Sequence, residues 1–291
     1  MHSLIKDLIK TGVVVTDGSW GTQLYACGLK QGENPDSWNL YHPEKVEEVA
    51  RQYVDAGSRV ILTNTFGANK FILEKFGLAD KVVEINTAGV KISKKVAGDR
   101  AYVFASIGPS GKMLVMKEVT EDDLGKAFEE QAHAQAQAGA DGIIIETMSD
   151  LAEARIAVSA VKPTGLPIIA SMVFDSGKNK DRTMMGTTPE EVVEELVKME
   201  VDGIGANCGQ GIEGFIPICR RMRSKTELPI WIKPNAGLPE VADGKTVYRT
   251  TARDFVRFVP ELIQAGANFI GGCCGTDQEY IKEINKAVAM M

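Results

Sequence analysis

Three of the five cysteines in this chain of 291 residues fall in glycine-rich turns: Cys208 in GIGANCGQG, and Cys273 and Cys274 in FIGGCCGT. Thiolates are soft ligands that suit a tetrahedral zinc ion, and a site of three protein ligands leaves the fourth position to a substrate. The charge of such a site sets its chemistry. Three thiolates and one divalent cation leave a single negative charge, and a fourth thiol that binds is deprotonated outright. The incoming sulfur then stays a thiolate at neutral pH, where a free thiol with a pKa of about 8.5 is mostly protonated. An anionic three-cysteine site is a poorer Lewis acid towards water than a site of three neutral histidines. It therefore favours thiol alkylation over water activation. On spacing alone, other readings stay open. Buried cysteines are common small core residues, and an adjacent pair can close a strained vicinal disulfide. Cys219, in the helical FIPICRRMRSK, and Cys27, after an early loop, are expected to be structural.

Other polar residues end apolar runs. Asp17 closes GVVVTD and Glu146 closes GIIIE. Carboxylates there can hold an ammonium group, and the backbone N–H groups of the turn Gly18-Ser19 can hold a carboxylate. Together they would grip the two ends of a zwitterionic amino acid. The competing reading is that each acid caps the next helix or pairs with a Lys or Arg. Asn64, Asn207 and Asn235 also end or follow such runs, where they are expected to tie loops together. Lys233 is the one lysine placed at a strand end to serve an aldolase-type or phosphate-binding barrel. A phosphate site would not explain two cysteines in GGCCG, and DSGKNKDRTMMGTTPEE (175–191) does not match a P-loop. His2, His42 and His133 fall outside strand ends, so no histidine ligand or catalytic histidine is expected.

The elements that must position these residues repeat one pattern. An amphipathic helix ends in Ala-Gly-Ala/Ser or a similar turn, and a short apolar strand follows: DAGSRVILTNTF (55–66), QAGADGIIIET (137–147), QAGANFIGGCCG (264–275), and more weakly MEVDGIGANCG (199–209). The glycine suits a left-handed helix C-cap. The Ile- and Val-rich run after it suits a strand buried on both faces. Strands are predicted near 12–17, 59–64, 102–107, 142–146, 167–173, 202–207, 229–234 and 267–272. Helical segments separate all eight, among them PEKVEEVARQYVDA, TEDDLGKAFEEQAHAQAQA, TPEEVVEELVKM and TARDFVRFVPELIQA. Eight strands alternating with helices indicate a parallel sheet, and eight units fill the chain. The expected fold is a single (β/α)8 barrel, a TIM barrel, spanning residues 1–291. Its strand ends share one face, where the three cysteines can meet. Segments 20–42, 108–119 and 174–187 are weakly periodic and follow strands, as active-site loops do in a barrel.

Composition excludes several classes. Hydrophobic residues make up 44% and charged residues 25%, with a formal net charge of -6. No Lys/Arg cluster stands out, so nucleic acid is not an expected partner. No apolar run approaches the roughly 18 residues a membrane span needs, and MHSLIKDLIKTGVVV lacks the form of a secretion signal. The odd cysteine count does not suit a disulfide framework, and the expected location is the cytoplasm.

TDGSWGTQL, PDSWNLYHPEKV, LTNTFGANKFIL, SIGPSG, GANCGQG, KPNAGLP and GGCCGT stand in an order that resembles the homocysteine S-methyltransferase family over nearly the whole chain. The resemblance implies one zinc per chain on Cys208, Cys273 and Cys274, and binding of the homocysteine amino-acid moiety by Asp17 and Glu146. TNTFGAN and PNAGLP are most similar to the homocysteine module of cobalamin-dependent methionine synthase. The sequence to Met291 leaves no room for a cobalamin-binding module, so the methyl donor is expected to be a methylcorrinoid protein acting in trans. S-methylmethionine and betaine are the alternative donors, with Trp20 and Phe66 near strand ends as candidate aromatic faces for a cationic one. A non-catalytic zinc- or thiol-binding sensor barrel is the alternative from another class. Lys233 replaces the Tyr that precedes Pro-Asn-Ala-Gly in the family pattern, and DGSW replaces the commoner DGAM.

Overall fold

The predicted apolar runs become strands because they are buried on both faces and have a helix on each side. The computed structural model describes residues 1–242 and 245–291. Eight parallel strands form the sheet: β1 (Val14–Val15), β2 (Val60–Leu62), β3 (Tyr102–Ile107), β4 (Gly142–Met148), β5 (Ile168–Met172), β6 (Gly203–Gly211), β7 (Ile230–Asn235) and β10 (Phe269–Ile270). Their order is β1-β10-β7-β6-β5-β4-β3-β2. A parallel bridge between Thr16 and Val60, with the Arg59 N–H donating to the Val15 carbonyl at 2.8 Å, closes β1 onto β2. The result is the expected eight-stranded barrel.

The barrel interior is apolar below and polar above. Val14, Val60, Leu62, Phe104, Ile144, Ile169, Trp231 and Phe269 fill the lower part. The Phe104 and Trp231 rings stack with centroids 6.3 Å apart. Gly142 makes this possible, because a Cβ there would lie 2.9 Å from the Phe104 ring. The N-terminal helix α1 (Ser3–Ile9) adds Ile5 and Leu8 to the same cluster and plugs the end at which the strands begin.

The outer layer holds α2 (Trp20–Ala26), α3 (Trp38–Tyr41), α4 (Pro43–Asp55), α5 (Lys70–Glu74), α6 (Val82–Ala97), α7 (Glu121–Gln137), α8 (Leu151–Val161), α9 (Pro189–Lys198), α10 (Ile212–Arg223), α11 (Ala252–Val256), α12 (Val259–Gln264) and α13 (Gln278–Ala289). Thr120 and Thr188 form capping boxes with Asp123 and Glu191, which supply the orphan N–H groups of α7 and α9 with acceptors. The run TARDFVRFVPELIQA is two helices rather than one. Pro260 sits in the first turn of α12, where its missing N–H is harmless, and the preceding residues turn the chain. After β7 a small antiparallel ribbon of β8 (Glu240–Ala242) and β9 (Lys245–Val247) rises from the mouth, which periodicity had not revealed. No helix among the described residues is long and apolar enough to cross a membrane.

Candidate functional site

The three thiols meet because two strand ends leave regular geometry. At the end of β6, Cys208 has φ 63° and Gly209 φ 81°, and the pairing with β7 shifts register between Asn207 and Gly211. A left-handed conformation costs a non-glycine residue roughly 1–2 kcal/mol. At β4, Thr147 has φ 62° and the pairing with β5 shifts between Ile145 and Met148. Asn207 pins both irregularities. Its Oδ1 accepts from the Thr147 N–H at 2.9 Å and from Ser171 Oγ at 2.6 Å, and its Nδ2 donates to Thr147 Oγ1 at 2.6 Å. The same Nδ2 lies 4.0 Å from Cys273 Sγ.

The Cys273-Cys274 turn is held from β7. The Cys273 N–H donates to the Pro234 carbonyl at 2.7 Å, and the Cys274 N–H to Asn235 Oδ1 at 3.1 Å. The Ala236 N–H returns a bond to the Cys274 carbonyl at 2.9 Å. Gly271 permits the approach of this turn to β1, since a Cβ there would stand 2.0 Å from Thr16 Oγ1 and 2.5 Å from the Asp17 carbonyl oxygen. The sulfurs of Cys208, Cys273 and Cys274 then lie within 4.8 Å of one another, with Cys208 and Cys274 3.8 Å apart. All five cysteines are free thiols, so the adjacent pair forms no vicinal disulfide.

This donor set fits a tetrahedral zinc. Ligands at about 2.3 Å from a common centre stand about 3.8 Å from one another, the spacing seen between Cys208 and Cys274. Without a cation the three thiols cannot all ionise. S–H donation from Cys273 and Cys274, with the Gly209 N–H and Asn235, holds Cys208 down at about 3. Hydrogen bonding to Cys208 holds Cys274 up at about 12 and Cys273 well above its ordinary range, and burial adds to both. Tyr248 stands beside Cys274. Burial first, then the charge and hydrogen bond of Cys274, raise its hydroxyl above the usual range. Its ring covers Gly275, where a Cβ would come within 2.3 Å of it. Nothing in the sequence marked Tyr248, since it lies in a loop without periodicity.

Below the thiols is a buried ionic floor. Asp17 is fully enclosed: Lys233 Nζ reaches its Oδ1 at 2.5 Å, and Trp20 Nε1 and the Leu62 N–H both donate to its Oδ2 at 2.7 Å. Glu146 accepts from Ser106 Oγ at 2.6 Å through Oε1. Among the described residues none donates to its Oε2. Burial raises the Glu146 carboxyl above its ordinary range, the Lys233 charge opposes this, and Asp17 and Cys208 add to it. Burial alone would lower the Lys233 ammonium, but Asp17 and Glu146 outweigh it and the net direction is up. Lys233 is thus a fixed cation and not the neutral amine an aldolase-type lysine needs.

The structure therefore brings Cys208, Cys273, Cys274, Asp17 and Glu146 to one face. Ser19 caps α2 through its Oγ, and its carbonyl accepts from Tyr53 Oη at 2.7 Å. Gly18 packs against that tyrosine, where a Cβ would lie 2.8 Å from the ring. Neither the Gly18 nor the Ser19 N–H donates to an acceptor among the described residues. Asn64 ties loops, donating to the Pro35 carbonyl at 2.8 Å and to Asn39 Oδ1 at 3.1 Å. Asn207 and Asn235 do more, because each reaches the thiols, and position next to a cysteine was the signal for Asn207. Cys219 is buried in α10 and held up at about 12 by desolvation, as suits a core residue.

Residues 14–288 match the sequence profile of the family described as homocysteine S-methyltransferase. The chain is 28% identical over 303 residues to a methionine synthase of Mycobacterium tuberculosis and 28% identical over 311 residues to one of Mycobacterium leprae. These alignments take in 97% and 99% of this chain but 25% and 26% of the relatives, so the chain spans about a quarter of their length. Among solved structures, the metallated form of the homocysteine methyltransferase MmuM from Escherichia coli overlays with a TM-score of 0.82 at 20% identity, covering 97% of this chain and 99% of that one. Its oxidized form gives 0.83 at 21% identity, covering 98% and 99%. At this identity the likeness shows the barrel fold.

Proposed function

The chain belongs to the homocysteine S-methyltransferase family, and we propose that residues 1–291 act as one barrel unit that methylates the thiol of homocysteine to give methionine, with one zinc on Cys208, Cys273 and Cys274. The observation that carries this reading is the convergence of three free thiols at the strand ends. Bound there, zinc would supply the positive charge that keeps the acceptor sulfur deprotonated at neutral pH. The chain's own residues do the rest. Glu146 Oε2 takes the acceptor's ammonium, and the unengaged Gly18 and Ser19 N–H groups take its carboxylate. Asp17 acts through Lys233, which it holds in place. Asn207 and Asn235 fix the two cysteine turns so that the thiols converge before substrate arrives. In the transfer, the acceptor sulfur forms a bond to the methyl carbon while the donor–methyl bond breaks, and that electron pair leaves with the donor. The thiol proton goes to solvent.

The donor in this reading is a methylcorrinoid protein acting in trans. Its support is the resemblance of TNTFGAN and PNAGLP, together with the form of the rim. Val115, Met116, Met184, Leu238 and Val241 lie on the segments that follow β3, β5 and β7, Val241 within β8, and all five side chains are exposed. Such a rim suits a macromolecular donor over a lidded pocket for a small cation. The test is methionine formation by mass spectrometry from the zinc-loaded chain, homocysteine and a panel of methyl donors. Turnover with any donor supports the methyltransferase. Tight homocysteine binding with no turnover from any donor overturns it in favour of a sensor.

A further inference from the structure

Lys233 is 3% exposed at its side chain and Asp17 0%. Residues of these types are almost never so buried unless paired. The pair itself is ordinary, but its location is not. It lies at the top of the barrel interior, where Glu146 and Cys273 both act on the Lys233 ammonium. Two carboxylates in such a floor, without an internal cation, would depend on the ammonium of an incoming amino acid for their counter-charge. Here the cation is supplied by the chain. Asp17 has Lys233 on one oxygen and the Trp20 and Leu62 N–H groups on the other, so an incoming ammonium has no route to it. Glu146 keeps one oxygen for the acceptor, but it already lies in the field of Lys233.

We propose that Lys233 is a specificity-determining residue that stands in at Asp17 for the acceptor's ammonium group, so that the site takes ω-mercapto carboxylates lacking an α-amino group as well as the amino-acid thiol. The proposal rests on the acceptor-thiol reading above. Its physical basis is asymmetric. A pocket that relies on a ligand's ammonium rejects the analogue lacking it, because the analogue leaves buried charge unpaired. With Lys233 already paired to Asp17, the analogue leaves one carboxylate, Glu146, without its counter-charge instead of two.

The test compares homocysteine with 4-mercaptobutanoate, its des-amino analogue. Binding of each to the zinc-loaded full chain is measured by calorimetry without any methyl donor, and methylation is followed separately. Wild-type affinities are expected to differ by no more than about a hundredfold, the loss of the one charge-assisted contact to Glu146. Lys233→Gln, with zinc content unchanged, is expected to widen the preference for homocysteine by about ten- to a hundredfold, because Asp17 and Glu146 then need the ligand's ammonium. Glu146→Gln is expected to narrow it, and the wild-type ratio alone decides the matter should Lys233→Gln fail to fold. A wild-type preference for homocysteine above about a hundredfold would overturn the proposal and leave the acceptor reading intact. So would an unchanged ratio in a folded, zinc-loaded Lys233→Gln protein. Failure to bind either thiol would overturn both.

Discussion

Protons and a metal ion compete for the same three sulfurs. At neutral pH Cys208, held at about 3, is ionised, while Cys274, at about 12, and Cys273, well above its ordinary range, keep their protons. Metal loading must displace the last two. We therefore expect zinc uptake near pH 7 to release about two protons per chain, read by an indicator dye in weak buffer, and affinity to fall as pH falls. Release of none would mean that the thiols were already ionised and the hydrogen-bonded arrangement is wrong. Cys208→Ser, Cys273→Ser or Cys274→Ser should each weaken zinc retention severely, and Cys27→Ser and Cys219→Ser should leave it unchanged, measured by metal analysis after gel filtration. Full occupancy in the Cys273→Ser, Cys274→Ser double variant would remove the site. These residues were legible because cysteine is rare and all three sit in glycine-rich strand ends. That Lys233 meets Asp17 and not Glu146 was not legible, because it depends on how β7 sits relative to β1 in the closed sheet.

Strand ends are where this barrel departs from regularity, and each departure serves the thiols. β6 and β4 shift register at Asn207 and Thr147, and β10 approaches β1 so closely that Gly271 has no room for a side chain. Gly271→Ala would push a methyl group into Thr16 Oγ1 and the Asp17 backbone. Overpacking of this kind costs typically about 1–3 kcal/mol. The expected result is a lower midpoint in thermal unfolding together with weakened zinc retention, since Cys273 and Cys274 follow two and three residues later. A variant with wild-type stability and full zinc would show that the close approach is not needed. The strands themselves were readable from the repeated helix–glycine–strand pattern, all eight within a few residues. The β8–β9 ribbon and Tyr248 were not, since neither carries an apolar period. The break at Arg257–Phe258 was missed because the apolar period runs on through Pro260.

For the whole molecule the open question is what meets the mouth. Its rim carries the exposed apolar side chains of Met116, Met184, Leu238 and Val241. We expect methionine to form efficiently from homocysteine with methylcobalamin or a methylated corrinoid protein, and poorly with S-methylmethionine or betaine, followed in parallel by mass spectrometry. Efficient turnover with either small donor, and none with the corrinoids, would reverse the donor assignment and leave the thiol chemistry standing.

The sequence by itself determined the barrel and the face on which the three cysteines converge. Strand periodicity and strand-end position are local properties that any eight-unit parallel sheet converts into one shared mouth. What only the tertiary structure decided is the charge state of that mouth. Lys233 and Asp17 are 216 positions apart, and no local pattern says that β7 will bring one against the other. Once closure of the sheet buries both, desolvation forces them to pair. That pairing leaves Glu146 Oε2 as the carboxylate oxygen of the two without a donor among the described residues.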